Sequence, residues 1–273
     1  FWFADHYMPN TGGEAIEPGD VHEVFSILPA AAMVTENMRI GTLVSPTSVH
    51  HPAVLANRAT TLDHVSNGRM VLGIGAGWQI NEHRAYGIEL EEPKVRVDRF
   101  EEAIQIMRSL LDADRTTFEG AHYSITDAPS DPSPIQSPLP ILVGTSGPRM
   151  CRITARYAQE WNTWGSPNIA ASKRKIFANA CDREGTQIDA KHTSVQALFV
   201  VSDDQSTIDE AFAGPRADNT VAGSVDHVVD AIGQYAELGF DEVIVPDFSL
   251  GETRESRDDA YEHFMSDIAS QCG

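Results

Sequence analysis

Lysine is almost missing from this chain of 273 residues: Lys94, Lys173, Lys175 and Lys191 are all there is. Basic side chains total 20 against 40 acidic ones, a formal charge of -20 spread along the sequence. Nucleic acid is therefore not an expected partner, because binding a phosphate backbone requires a basic footprint. An acidic, lysine-poor surface fits work at high salt, where counterions screen self-repulsion; an ordinary acidic enzyme from a GC-rich genome has the same composition. Cysteine is scarce too. Cys151, Cys181 and Cys272 have neither CxxC nor metal-ligand spacing, which points to reduced thiols and away from a disulfide framework. No apolar run approaches the ~18 residues of a membrane span, and there is no signal-like start. The expectation is a soluble, cytoplasmic protein with no membrane partner.

What the chain does have is alternation. Apolar runs expected to be strands lie at 1–4, 39–44, 69–74, 140–144, 160–164, 193–201 and 242–246. Helical stretches separate them: 20–36 with Asp20 as N-cap, 52–66 with Pro52 in its first turn, and 95–112 with Phe100, Ile104, Met107 and Leu111 on one face. Further helices are expected at 148–159, 170–183, 226–239 and 257–270, and a hairpin at 116–129 turning at Glu119-Gly120. The strands are continuously apolar, so both sheet faces are covered, as in a parallel sheet flanked by helices. Seven strands and a chain that starts inside the first imply a (β/α)8 TIM barrel whose first strand-helix unit is absent here; a doubly wound open sheet is the alternative. No linker or repeat interrupts residues 1–273, which read as one domain with loop insertions around 78–94 and 113–138.

The stretch VLGIGAGW, Val71 to Trp78, looks like a dinucleotide fingerprint. It fails as one, because Trp78 takes the place of the third glycine and the polar residues that follow read as broken rather than helical. In a barrel the chemistry sits at the C-terminal ends of strands. His6 is the one histidine directly at such an end, next to Asp5, a carboxylate suited to orienting its ring; a histidine so placed is a candidate proton donor or acceptor. His50, His51, His83 and His122 show no metal-ligand spacing and no carboxylate at a matching offset, so no metal site is expected. Gly144-Thr145-Ser146-Gly147-Pro148 joins a strand to a helix start, where backbone N–H groups form an anion nest, although a plain Gly-Pro helix start reads the same way. There is no Gly-x-Ser-x-Gly, so a serine hydrolase finds no support.

The runs FWFADHYMP, HPAVLANRATTLDHVSNGRMVLGIGAGWQINEHRAYGI, PILVGTSGPRMCRITARYAQEWN and GSVDHVVDAIGQYAELGFDEVIV, in this order, resemble the bacterial luciferase-like superfamily of flavin and deazaflavin enzymes. The likeness is nearest to its F420-dependent oxidoreductase branch. It implies a (β/α)8 barrel, usually a homodimer, that binds coenzyme F420 or FMN at the C-terminal mouth. Carried over residue by residue, the family's histidine beside the ring falls on His6, after Asp5. A cis-peptide bulge behind the ring falls at Thr42-Leu43, with Ser45 near the ring's polar edge. The ring-side shelf becomes Gly75, Ala76, Gly77 and Trp78, and the cofactor phosphate falls on Thr145, Ser146 and Gly147. Where the sugar-6-phosphate dehydrogenases of the branch carry a tryptophan and a glutamate, this chain has Asn10 and Trp78, which argues against sugar-phosphate oxidation.

The expected function is hydride transfer between F420 and a small organic substrate, with His6 exchanging a proton. The alternatives are an FMN-dependent monooxygenase supplied by a partner flavin reductase, and a non-catalytic flavin-binding protein. The composition itself is testable. If the charge of -20 is a high-salt adaptation, Tm rises substantially between low salt and molar KCl; a flat or falling Tm in a thermal melt leaves only the compositional account.

Overall fold

The computed structural model of the chain describes residues 1–251 and 253–272. They fall into two compact units, Phe1–Gly144 with Arg156–Gln159, and Thr145–Ala155 with Glu160–Gly273.

The first unit contains β1 (Trp2–Phe3), α1 (Val24–Val34), β2 (Ile40–Thr42), β3 (Ser45–Pro46), α2 (Pro52–Ser66), β4 (Met70–Gly75), α3 (Ile80–Tyr86), α4 (Pro93–Asp112), β5 (Arg115–Glu119), β6 (Ser124–Pro129) and β7 (Ile141–Gly144). β1, β2, β4 and β7 pair in that order, all parallel, and β3 joins the end of β4 through Ser45↔Ile74 and Pro46↔Gly75. Every residue of β4 is buried, as a parallel strand covered on both faces requires. β5 and β6 form the expected hairpin; its turn is held by Glu102, whose carboxylate accepts the backbone N–H groups of Ala121, His122 and Tyr123.

The second unit contains most of α5 (Pro148–Tyr157), then β8 (Glu160–Trp164), α6 (Pro167–Arg183), β9 (His192–Gln196), β10 (Leu198–Val201), α7 (Gln205–Ala213), β11 (Thr220–Gly223), α8 (Val225–Glu237), β12 (Glu242–Ile244) and α9 (Arg254–His263). β9 lies between β8 and β12, again parallel. The core is aromatic: Trp161 stacks on Phe177 at 4.5 Å and on Phe240 at 6.0 Å, and buried Tyr235 satisfies its hydroxyl on the Gly165 carbonyl.

Four expectations about the elements need correction. The helix expected from Asp20 starts at Val24, because Glu23 and not Asp20 supplies the cap, accepting from the N–H groups of Phe25 and Ser26. The strand expected over 193–201 breaks at buried Ala197 into β9, which stays with β8 and β12, and β10, which pairs with β11 instead. α7 and β11 lie in a stretch where no element was expected. The segment 78–94 is not a broken polar loop: it holds α3, closed by Gly87 in the left-handed conformation at φ 68°.

The cis peptide bond lies at Leu43–Val44, one residue later than the expected Thr42-Leu43. The ladder explains the offset. Thr42 is still in register with Phe3, and the Leu43 N–H is still donated to the Phe3 carbonyl, so the strand departs from regularity only after Leu43. Beside this bulge β4 has glycines for a steric reason. A Cβ on Gly73 would collide with the Thr42 carbonyl, and one on Gly75 would press on the Val44 side chain. Gly73→Ala is therefore expected to cost at least about 2 kcal/mol in urea unfolding. Gly147→Ala, with nothing within 4 Å of the added carbon, should stay within about 0.5 kcal/mol of the parent.

Candidate active site

The segments that follow β1 and β4 carry most of the expected site residues of the first unit, and α3 is bonded to the loop after β1 through Glu82 and to Ser48 through His83. His6 follows β1. Its Nδ1 is 2.9 Å from Glu82 Oε1, and the other carboxylate oxygen accepts the Tyr7 N–H at 3.0 Å. Glu82 is only 2% exposed and His6 24%. The His6 ring meets Trp78 edge-on, with centroids 5.7 Å apart. Asp5 does not orient His6, as its position in the sequence suggested. It is fully buried and its Oδ2 accepts from His50 Nε2 at 2.8 Å. The expectation that His50 lacks a carboxylate partner is corrected by the same contact. Arg58 sits 3.4 Å from His50 Nδ1; since a guanidinium only donates, Nδ1 is the accepting nitrogen and Nε2 carries the proton.

A third histidine, His83, points its Nδ1 at the Gln79 carbonyl at 2.7 Å and its Nε2 at the Ser48 hydroxyl at 2.9 Å. The carbonyl can only accept, so Nδ1 is protonated and Ser48 donates to Nε2. Ser48 lies under Gly77, whose φ of 89° and missing Cβ leave room for it. Arg96 of α4 holds the Gly77 carbonyl from the other direction.

The loop after β1 is fastened to α3 along its length. Gln79 donates to the Met8 carbonyl, Asn81 to those of Pro9 and Ala15, and Arg84 pairs with Glu14. Tyr7 and Tyr86 rings lie 5.5 Å apart. Burial, together with Asp5 and Glu23, pushes the Tyr7 phenol up to about 12, so it remains a neutral O–H.

The other expected residues divide by what their polar atoms already do. Thr42 is buried and its hydroxyl is spent on the Gly73 carbonyl at 2.6 Å. Leu43 is half-buried at the cis bond. Ser45 is fully buried and its hydroxyl has no partner among the described residues; the same holds for Asp5 Oδ1. Gly75 is buried, Ala76 and Gly77 half-buried, and Trp78 55% exposed. In the second unit, Thr145 is tied at both ends, its N–H to the Asn162 carbonyl and its carbonyl to the Trp161 indole, whereas Ser146 and Gly147 are exposed ahead of α5.

Glu82 and His50 were missed from sequence. α3 is a helix of 7 residues whose inward side is Asn81, Glu82 and His83, so it has no apolar stripe to reveal it. Its legible mark was Gly87, a helix-stop glycine. The second unit has a further buried polar chain that sequence reasoning did not single out, Gln196 to Asn162 to Ser194.

The family model described as luciferase-like monooxygenase matches residues 1–218. An F420-dependent glucose-6-phosphate dehydrogenase of Amycolatopsis mediterranei is 36% identical over 160 residues, 58% of this chain and 45% of that protein. One of Microbacterium testaceum is 37% identical over 165 residues, 59% of this chain and 47% of that protein. The aligned stretch thus spans less than half the length of these relatives. Among solved structures, an F420-dependent secondary alcohol dehydrogenase in complex with an F420-acetone adduct matches 100% of this chain and 89% of its own, with a TM-score of 0.83 at 18% identity. A monooxygenase from Streptomyces bottropensis matches 100% and 88%, with a TM-score of 0.78 at 20% identity. At such identities the likeness speaks to fold alone, and it supports the TIM-barrel class expected from the alternation of strands and helices, not a doubly wound sheet.

Proposed function

The chain belongs to the luciferase-like monooxygenase family, and from that premise we propose that it is an oxidoreductase using coenzyme F420 to exchange hydride with a small organic substrate. The observation that carries the reading is His6. It stands at a strand end, partly exposed, with Nδ1 held by a buried carboxylate and with no hydrogen-bond partner at Nε2 among the described residues. The names of the relatives support the choice of cofactor, as does the run of motifs from Asp5-His6 to Gly147.

The residues present suit such a cofactor. A buried acceptor or hydroxyl with no partner costs about 1–3 kcal/mol, so Asp5 Oδ1 and Ser45 Oγ call for a polar group from outside the chain. A deazaflavin ring has polar edges that would answer that need. Gly75, Ala76, Gly77 and Trp78 are the proposed shelf for the ring, and Thr42 and Leu43 the backbone of the bulge behind it. The phosphate assignment to Thr145, Ser146 and Gly147 rests on the resemblance; exposed Ser146 and Gly147 precede a helix start, which favours an anion. When bound, F420 supplies the two-electron hydride chemistry. His6 Nε2 takes the proton of a substrate hydroxyl in the oxidising direction and returns one in the reducing direction. Trp78 bounds the space beside the imidazole. Asn10 and Trp78, at positions where the sugar-phosphate enzymes differ, favour a substrate other than a sugar phosphate.

A flavin-dependent monooxygenase is the second reading, favoured by the monooxygenases among the structural neighbours. Titration of the purified chain with F420 and with FMN separates the two: saturation by F420 at lower concentration is expected, and saturation by FMN alone sinks the F420 assignment. In the F420-loaded enzyme, His6→Ala should lower turnover roughly 10²- to 10⁴-fold with cofactor affinity nearly unchanged. Turnover within a few-fold of the parent would remove His6 as the proton carrier. Ser146→Asp, which sets a negative charge on the phosphate nest, should weaken F420 binding without lowering Tm.

A further inference from the structure

We propose that Glu82 is the positioning residue that holds His6 in a single tautomer, with the proton on Nδ1 and the lone pair on Nε2. The catalytic consequence rests on the F420 reading above; the tautomer itself does not. Glu82 Oε2 accepts the Tyr7 N–H, and Oε1 lies 2.9 Å from His6 Nδ1. An ionised Glu82 has no proton to give, and the hydrogen between Nδ1 and Oε1 is then the histidine's own.

Among the described residues this carboxylate has no other ion-pair partner. Glu82 is 2% exposed and its ion-pair contact is with His6. Each nearby ionisable group is already engaged elsewhere. Asp5 is joined to His50, His50 to Arg58, and His83 to Gln79 and Ser48, while Arg84 reaches out to Glu14. Neutral histidine in water prefers its proton on Nε2; Glu82 reverses that preference and leaves Nε2 as the atom that accepts.

The helix fixes the direction of the contact as well as its chemistry. The Glu82 N–H donates to Asn81 Oδ1, and Asn81 Nδ2 donates to the carbonyls of Pro9 and Ala15. The same two residues therefore hold the ring and the loop that carries it. During turnover the proton accepted from substrate stays on Nε2, the Nδ1 proton stays toward Glu82, and the cationic ring releases the Nε2 proton to water or back to product.

The test is ¹⁵N-histidine NMR on the full chain, with the His6 signals identified by their loss in His6→Gln. The parent should show neutral His6 protonated at Nδ1. In Glu82→Gln the amide carbonyl can remain on the Tyr7 N–H while its NH₂ donates to Nδ1, so the proton should move to Nε2. Turnover should then fall roughly 10²-fold or more, with F420 affinity within about 3-fold of the parent. Glu82→Asp keeps a carboxylate and should keep the Nδ1 tautomer with part of the turnover; with the parent spectrum it decides the matter if Glu82→Gln does not fold. A parent ring protonated at Nε2, or a tautomer unchanged in Glu82→Gln, overturns the proposal. The reversal seen in a chain that does not bind F420 leaves Glu82 in its role and sinks the cofactor reading instead.

Discussion

A carboxylate withdrawn from water and given a histidine, not an arginine, as its partner is the constraint around which the first unit's strand ends are arranged. Leaving a buried anion uncompensated is costly, so the Glu82 contact to His6 and Tyr7 is one that the loop after β1 cannot lightly abandon. α3 exists to deliver it. A helix of 7 residues is too short to persist on its own propensity; its stability comes from side-chain bonds to residues 6–15 and to Ser48. The usual relation is inverted here, with the polar contacts of the site holding the helix as much as the helix holds the site.

The glycines of β4 follow a different logic from the fingerprint they imitate. In a dinucleotide fold, glycines open a turn for pyrophosphate. Here Gly73 and Gly75 make room for protein, the carbonyl of Thr42 and the side chain of Val44, where the neighbouring strand leaves its regular path at the cis bond. Gly77 makes room for the Ser48 hydroxyl. A run of glycines after a strand reports close approach; it does not report what approaches.

This distinction marks what was legible in the sequence. The parallel strands were readable because burial on both faces leaves continuous apolar runs, and α2 and α4 because proline and an apolar stripe mark them. His6 was readable from its position at a strand end. Its partner was not, since Asp5 is adjacent in sequence while Glu82 is 76 positions away, and nothing in local spacing points across so many residues. Asp5 meets His50, a residue that sequence spacing alone gave no reason to pair with it. The division of residues 193–201 between two ladders was hidden because β9 and β10 follow one another across Ala197 with no turn residue between them, and pairing partners leave no trace in composition. Thr42, Ser45 and Ser146 look alike in sequence as small hydroxyl residues. Only the fold separates the one whose hydroxyl is spent, the one buried without a partner and the one open to solvent.

The unit formed by Gly77, Ser48 and His83 also bears on how this site can change over evolutionary time. Any larger residue at Gly77 meets the Ser48 hydroxyl, removing that hydroxyl leaves His83 Nε2 without its donor, and His83 is anchored in turn by the Gln79 carbonyl two residues beyond the glycine. Each single step is penalised by the two residues that have not yet changed. Such a triplet is inherited or replaced as a block, so substitutions in this corner of the first unit should be strongly epistatic, whereas Trp78, exposed and in edge-on contact with the His6 ring, stands outside the triplet.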